Sequence, residues 1–210
     1  MLDINWLLFL IASVAVILTP GQDLLLVMSR SLTQGAGAGV ATAAGVSSGL
    51  VMHTLLATLG VGAVVMASEW LYLTMKFVGA AYLIYLGVSL LLVKDTAILS
   101  QANDTRPIRK LYVDGAFSNV ANPKIAIFYF AFLPQFVPAQ SEYPTMSIFV
   151  LGLTFSALTF VIKAPMGYYS GKLAGWFRAS PVYLLSVYRV SGCMLLMLGA
   201  KLVFDERSRW

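Results

Sequence analysis

The sequence predicts an all-α membrane protein with six transmembrane helices arranged as two inverted three-helix repeats, the first helix of each repeat broken near its middle. Three observations lead there. Of the 210 residues, 59% are hydrophobic and only 11% charged, against about 25% charged in an ordinary soluble domain. That is too little charge to cover a water-facing surface. Apolar runs of about 20 residues, the length needed to cross a bilayer as a helix, recur down the whole chain. Finally, the single long polar connection, about 95–112, leaves three such runs on either side of it. Three is odd, so the second half enters the membrane from the opposite face. The composition excludes a water-soluble enzyme and leaves no room for a separate soluble domain. Residues 1–210 therefore read as one transmembrane domain, with repeat 1 at about 1–94, a cytoplasmic linker at about 95–112 and repeat 2 at about 113–210.

The first predicted span covers 6–28. Nothing basic precedes it, and the run is too long for the apolar core of a signal peptide, so it reads as a retained helix. Thr19-Pro20-Gly21 interrupts it, because proline cannot donate the helical hydrogen bond. The second span, 40–67, carries the small-residue ladder Ala41, Gly45 and Gly49, which lets helices approach closely, and the lone histidine, His53. The third, 71–93, opens on Lys76-Phe77-Val78-Gly79 and has a second glycine at Gly87. The fourth, 113–136, is interrupted by Asn122-Pro123-Lys124, at a position corresponding to the first break. The fifth, 146–169, contains Lys163. The sixth, 183–204, repeats the pattern of the third with Arg189-Val190-Ser191-Gly192 and Gly199. None of the runs alternates with the period of two that a barrel requires, so the spans are helices. Interrupted spans at corresponding positions of inverted halves are a sequence pointer to a transporter's binding site. Either proline alone reads more readily as a packing kink; their pairing at corresponding positions shifts the balance toward a site.

Basic residues set the orientation. Lys and Arg outnumber Asp and Glu by 14 to 9. Connections after spans one, three and five hold Arg30, then Lys94, Arg106, Arg109 and Lys110, then Lys172 and Arg178, while the opposite side is nearly free of them until Lys201, Arg207 and Arg209. Positive residues collect on the cytoplasmic side, which puts both termini outside, with the basic tail as an inconsistency. Trp6, Trp70 and Trp210 fall near outer ends of spans and Trp176 near an inner one, as interfacial anchors. The basic excess carries no aromatic-interleaved run of the kind that binds nucleic acid. One cysteine, Cys193, and one histidine offer neither an intramolecular disulfide nor a metal cluster. No cofactor is implied.

At these motifs the sequence resembles the LysE/RhtB family of amino-acid exporters, along the whole chain. Leu18-Thr19-Pro20-Gly21-Gln22-Asp23 is similar to the family's Thr/Ser-Pro-Gly-Pro signature, with Gln22 in place of the second proline. The stretch Gly79-Ala80-Ala81-Tyr82-Leu83-Ile84-Tyr85-Leu86-Gly87 resembles the family's third span. Asn119-Val120-Ala121-Asn122-Pro123-Lys124 followed by Phe132-Leu133-Pro134-Gln135-Phe136 is the most specific match. The resemblance implies export of amino acids or close derivatives from the bacterial cytoplasm across the inner membrane, driven by the proton gradient as an antiport. The partners implied are an amino-acid substrate, protons and the lipid bilayer; a homo-oligomer is compatible with the sequence.

A charge inside the bilayer costs roughly 2.5–3.5 kcal/mol on the insertion scale, so each deep one is a functional candidate. Asp23 lies seven residues before Arg30 and Lys163 nine before Lys172, about 10 to 13 Å inside the cytoplasmic boundary at 1.5 Å per residue. The two can pair across the bundle. Asp23 is read as the coupling carboxylate, taking the substrate ammonium when ionised and a proton when the substrate leaves; the alternative is a static ion pair with Lys163 or Lys124. Lys163, in Ile162-Lys163-Ala164-Pro165, matches no motif of the family and is a candidate for substrate selection. Around the breaks, Thr19, Pro20, Gly21, Asn122, Pro123 and Lys124 form the expected substrate site. The exposed helix start after Asn122 and the Lys124 charge suit a carboxylate, and freed carbonyls with Asp23 suit an ammonium. His53, with an unperturbed pKa of about 6.5, is either a proton carrier or hydrogen-bonded structure. Arg189 and Lys76 are expected to snorkel to the interface.

Other functions fit less well. Gly167-Tyr168-Tyr169-Ser170-Gly171-Lys172 has three residues between its glycines where a P-loop needs four, and Leu173 follows. No His-Glu-x-x-His or Gly-x-Ser-x-Gly supports a membrane-embedded hydrolase. A cation exporter is the runner-up, but soft metals want Cys and His, and hard ones want clustered carboxylates. A neutral substrate such as threonine, homoserine or leucine is preferred, since a basic one would want more deep acid than Asp23 supplies.

Overall fold

A computed structural model of the chain describes residues 4–19, 21–67, 69–93, 105–137, 141–170, 172 and 181–204. Among these residues the fold is entirely helical. The helices are α1 (Trp6–Leu18), α2 (Gln22–Gln34), α3 (Ala36–Ala67), α4 (Glu69–Leu91), α5 (Ile108–Val120), α6 (Pro123–Ile127), α7 (Pro144–Tyr168) and α8 (Pro181–Phe204), with a π-helical turn (Phe128–Phe132) and a 3-10 turn (Leu133–Phe136) after α6. Among the described residues, three segments are long and apolar enough to cross a membrane as single helices: Ala36–Gly60, Pro144–Tyr168 and Leu185–Phe204. They correspond to the second, fifth and sixth predicted spans.

The other predicted spans take different forms. The first is the pair α1 and α2, whose axes lie 52° apart and which together are long and apolar enough for a fourth crossing. It runs on to Gln34 rather than stopping near residue 28. The third is α4, whose apolar part, Lys76–Leu91, is shorter than a full crossing. The fourth, expected as an apolar helix with one break, is divided further. Its helix begins at Ile108, inside the predicted linker, and stops at Val120. Asn122 and Pro123 then start a new helix of five residues. Pro134 cannot donate to a carbonyl one turn earlier, and there the chain widens to a π turn and tightens to a 3-10 turn. Single π turns inside helices recur at functional sites.

Glycines bring the helices together. In α3, Gly45 and Gly49 of the predicted ladder face α5: a Cβ at Gly45 would run into the Tyr112 carbonyl, and one at Gly49 would come 2.7 Å from the Ala116 carbonyl. The other face of α3 meets α7, where Gly39 and Gly167 each leave room for the other's backbone. Between α4 and α8 the contact is again reciprocal, with a Cβ at either Gly87 or Gly192 falling 2.8 Å from the other's carbonyl oxygen. The aromatic core runs through Phe9, Phe128, Tyr129, Phe132, Phe136 and Phe155, all buried. The Asn5 N–H donates to the Phe136 carbonyl at 3.2 Å, tying the start of the chain to the end of the fourth segment. Outward-facing residues such as Leu7, Leu59, Phe117 and Met197 are large, apolar and exposed, the surface a lipid-facing helix presents.

Candidate functional site

Asp23 lies in the first turn of α2, which begins after Gly21. The unpaired N–H groups and positive dipole end of a helix favour a carboxylate at that position. The side chain is 4% exposed, and it is held by three residues of the other half, from α5, the cap of α6 and α7. Oδ2 accepts from Asn119 Nδ2 at 2.8 Å and from Lys163 Nζ at 3.4 Å, and Oδ1 accepts from Asn122 Nδ2 at 3.4 Å. Lys163, 5% exposed, reaches it from α7, two residues before Pro165, which leaves the Val161 carbonyl without a helical donor.

Asn122 serves two helices. Its Oδ1 accepts from the Lys124 N–H at 3.1 Å and so caps α6, while its Nδ2 turns to Asp23. Pro123 stands in the first turn of α6, where its missing N–H costs nothing. Lys124 directs its ammonium toward the first break, since a Cβ on Gly21 would be 3.8 Å from Lys124 Nζ. Thr19 is buried and its hydroxyl donates to the Ala15 carbonyl at 2.7 Å, which satisfies it inside α1. Pro20 lies outside the described residues. Gly21, Asp23, Asn122, Lys124, Lys163 and Thr19 thus share one cavity, with Phe155 and Thr159 completing its wall. It measures about 20 Å³, room for a single water.

His53 sits behind this cavity. Its Nε2 lies 3.2 Å from the Asn119 carbonyl oxygen. A carbonyl only accepts, so Nε2 carries the proton, and Nδ1 is buried with no partner among the described residues. Lys76, expected to snorkel, is instead 4% exposed. It lies a full turn or more into α4, inside the packed part of the helix rather than at its end. Arg189 is exposed on α8.

Asn119 is the site residue that sequence reasoning missed. It makes the shortest contact to Asp23 and its carbonyl holds His53. The signal was its place in the Asn119–Lys124 motif: a second amide side chain in the last turn of the helix that ends just before Asn122. A second set of ties joins the halves toward the basic end. Gln34 bonds both backbone groups of Arg106, at 2.8 and 3.0 Å; Arg106 pairs with Asp114 at 2.6 Å, and Arg30 lies 3.9 Å from the same carboxylate.

The whole arrangement falls inside a stretch shared with known proteins, since residues 14–206 match the family described as LysE type translocator. The chain belongs to that family. It is 28% identical to a homoserine/homoserine lactone efflux protein of Salmonella typhimurium over 94% of this chain and 95% of that one. A leucine efflux protein of Klebsiella pneumoniae is 28% identical over 75% of this chain and 74% of its own. An uncharacterized membrane protein of Pseudomonas aeruginosa is 30% identical over 92% of each. No solved structure matches the chain. The resemblance read from the Asn-Pro-Lys and Leu-Pro-Gln-Phe motifs is therefore a membership. This LysE-type translocator is a multi-pass membrane protein, and its named relatives are efflux proteins rather than enzymes.

Proposed function

We propose that this translocator is a secondary active exporter of amino acids or close derivatives across the bacterial inner membrane, coupled to protons and working by alternating access. The observation that carries the proposal is the meeting of the two broken spans. Asp23 from the first half and Asn122, Lys124 and Lys163 from the second converge on one cavity, offering a carboxylate and ammonium groups a few ångströms apart. That pair of opposite charges is complementary to an α-amino acid. The relatives' names, homoserine and leucine efflux, support a small neutral cargo. Among the described residues no three His, Cys, Asp or Glu side chains gather, so the cation-exporter alternative finds no support.

In this proposal the six spans form two inverted repeats with both termini periplasmic. The reciprocal glycine contacts of α3 with α7 and α4 with α8 support it, since they pair the second span with the fifth and the third with the sixth. A cavity that admits one water is too small for any amino acid, so loading requires the halves to separate. The Gln34, Arg106, Asp114 and Arg30 ties would close the cytoplasmic side, and Asp23 would carry the proton on the return. Purified protein in liposomes should exchange labelled leucine, threonine or homoserine, faster with an imposed pH gradient. Absence of flux for all three, with the protein folded, would overturn the export reading; flux indifferent to the gradient would remove the proton.

A further inference from the structure

The Asp23 to Lys163 contact has the features of a pair built to be opened. It is buried, with side-chain exposures of 5% and 7%, yet its separation of 3.4 Å is longer than the roughly 2.7–2.9 Å of a tight charge-assisted bond. The Asp23 carboxylate, with room for about four donors, receives one short bond, from the neutral amide of Asn119, and two long ones. Its cationic partner at bonding distance among the described residues is an alkyl-ammonium on a flexible stem, which is also the chemistry of an amino acid's own ammonium. The two residues come from helices of different halves, α2 and α7, so parting them and enlarging the cavity are one motion. Pro165, two residues beyond Lys163, leaves the Val161 carbonyl without a helical donor, a local weak point at which α7 can bend.

We propose that Lys163 is a tethered stand-in for the cargo's ammonium, and that a zwitterionic cargo inserts itself into the Asp23–Lys163 pair. On loading, the cargo ammonium takes the place of Lys163 Nζ on Asp23, and the displaced Lys163 turns to the cargo carboxylate together with Lys124. Lys124 Nζ makes no hydrogen bond or ion pair to other described residues, and it lines the same cavity. One buried pair is exchanged for two, and the net charge of the site does not change. A cargo with only the ammonium takes Asp23 and leaves Lys163 an unpaired buried charge, whereas one with only the carboxylate has Lys124 alone to pair with and leaves the Asp23–Lys163 pair closed. Lys163 is thus a specificity-determining residue that selects for both charges, and it re-seals the site when the cargo leaves. The proposal rests on the export reading and adds the rule by which cargo is chosen.

The test is leucine counterflow in liposomes holding the full-length protein, with two competitors that carry leucine's isobutyl side chain: isoamylamine, which keeps the amine, and 4-methylpentanoate, which keeps the carboxylate. In the wild type each should compete at least tenfold less well than leucine. Lys163→Met frees Asp23, so isoamylamine should gain at least tenfold as a competitor while 4-methylpentanoate gains nothing. Lys163→Arg, which keeps the cation, should retain the wild-type ranking. If Lys163→Met leaves the ranking unchanged while leucine is still exchanged, the stand-in role is overturned and the export reading survives. If Lys163→Met does not fold, Lys163→Arg decides: an arginine variant whose ranking shifts toward the amine overturns the proposal. A wild-type protein that exchanges no amino acid overturns the export reading and the stand-in together.

Discussion

Asp23 depends on its neighbours more than on its own position. Asp23→Asn would strand the Lys163 ammonium in a site where it is 5% exposed, and breaking a buried pair from one side costs about 3–5 kcal/mol. Unfolding of the single variant in detergent should reveal that loss, and adding Lys163→Met should recover most of it. The same Asp23→Asn variant tests coupling: its export should no longer respond to a pH gradient, and an unaltered response would leave the carboxylate with a purely structural role. Asn119→Ala removes the shortest bond to the carboxylate, 2.8 Å. A hydrogen bond to a charged group is worth about 1.5–3 kcal/mol, so apparent substrate affinity should fall by roughly tenfold or more, measured as the half-saturation of exchange. Neither Asn119 nor the partnership of Asp23 with Asn122 is an inference that hydropathy permits. Asn119 was visible as part of a motif, but its role depends on which way the end of α5 faces.

Helix ends and helix contacts divide differently between sequence and structure. The breaks at Gly21 and Asn122 were legible because proline chemistry is local. The π and 3-10 turns after α6 were not, since Pro134 alone does not say whether a helix kinks, widens or ends. The Gly45 and Gly49 ladder was legible as a contact face, whereas its partner, α5, was not. Gly45→Val would force a side chain into the Tyr112 backbone. Overpacking of this kind costs about 1–3 kcal/mol, and because α5 ends at the site, exchange should fall along with thermal stability. Gly37→Val is the contrasting control: it is also on α3, but nothing lies within 4 Å of its Cβ position, and both readouts should be unchanged.

For the molecule as a whole, the proposed inverted arrangement makes a sided prediction. In a Cys193→Ser background, a cysteine at the exposed Lys110 should react with a membrane-impermeant maleimide only after the cells are permeabilised. One at the exposed Glu142 should react in intact cells. The reverse pattern would turn the protein over and move the Arg106–Asp114 ties to the periplasmic face. Composition made the bilayer legible, because 11% charge cannot solvate a protein of this size, and the same scarcity made each deep charge conspicuous. Family membership was equally legible, since motif spacing survives in the linear chain. What the linear chain could not decide is which buried charge meets which. Depth allowed Asp23 to pair with Lys163 and left Lys124 open as an alternative, and only the packing of α2 with α7, where Gly39 of α3 and Gly167 of α7 let the helices close, brings Lys163 to 3.4 Å from the carboxylate. Depth is a one-dimensional quantity that hydropathy encodes, whereas the azimuth of a side chain about its helix becomes a contact only when the helices are packed.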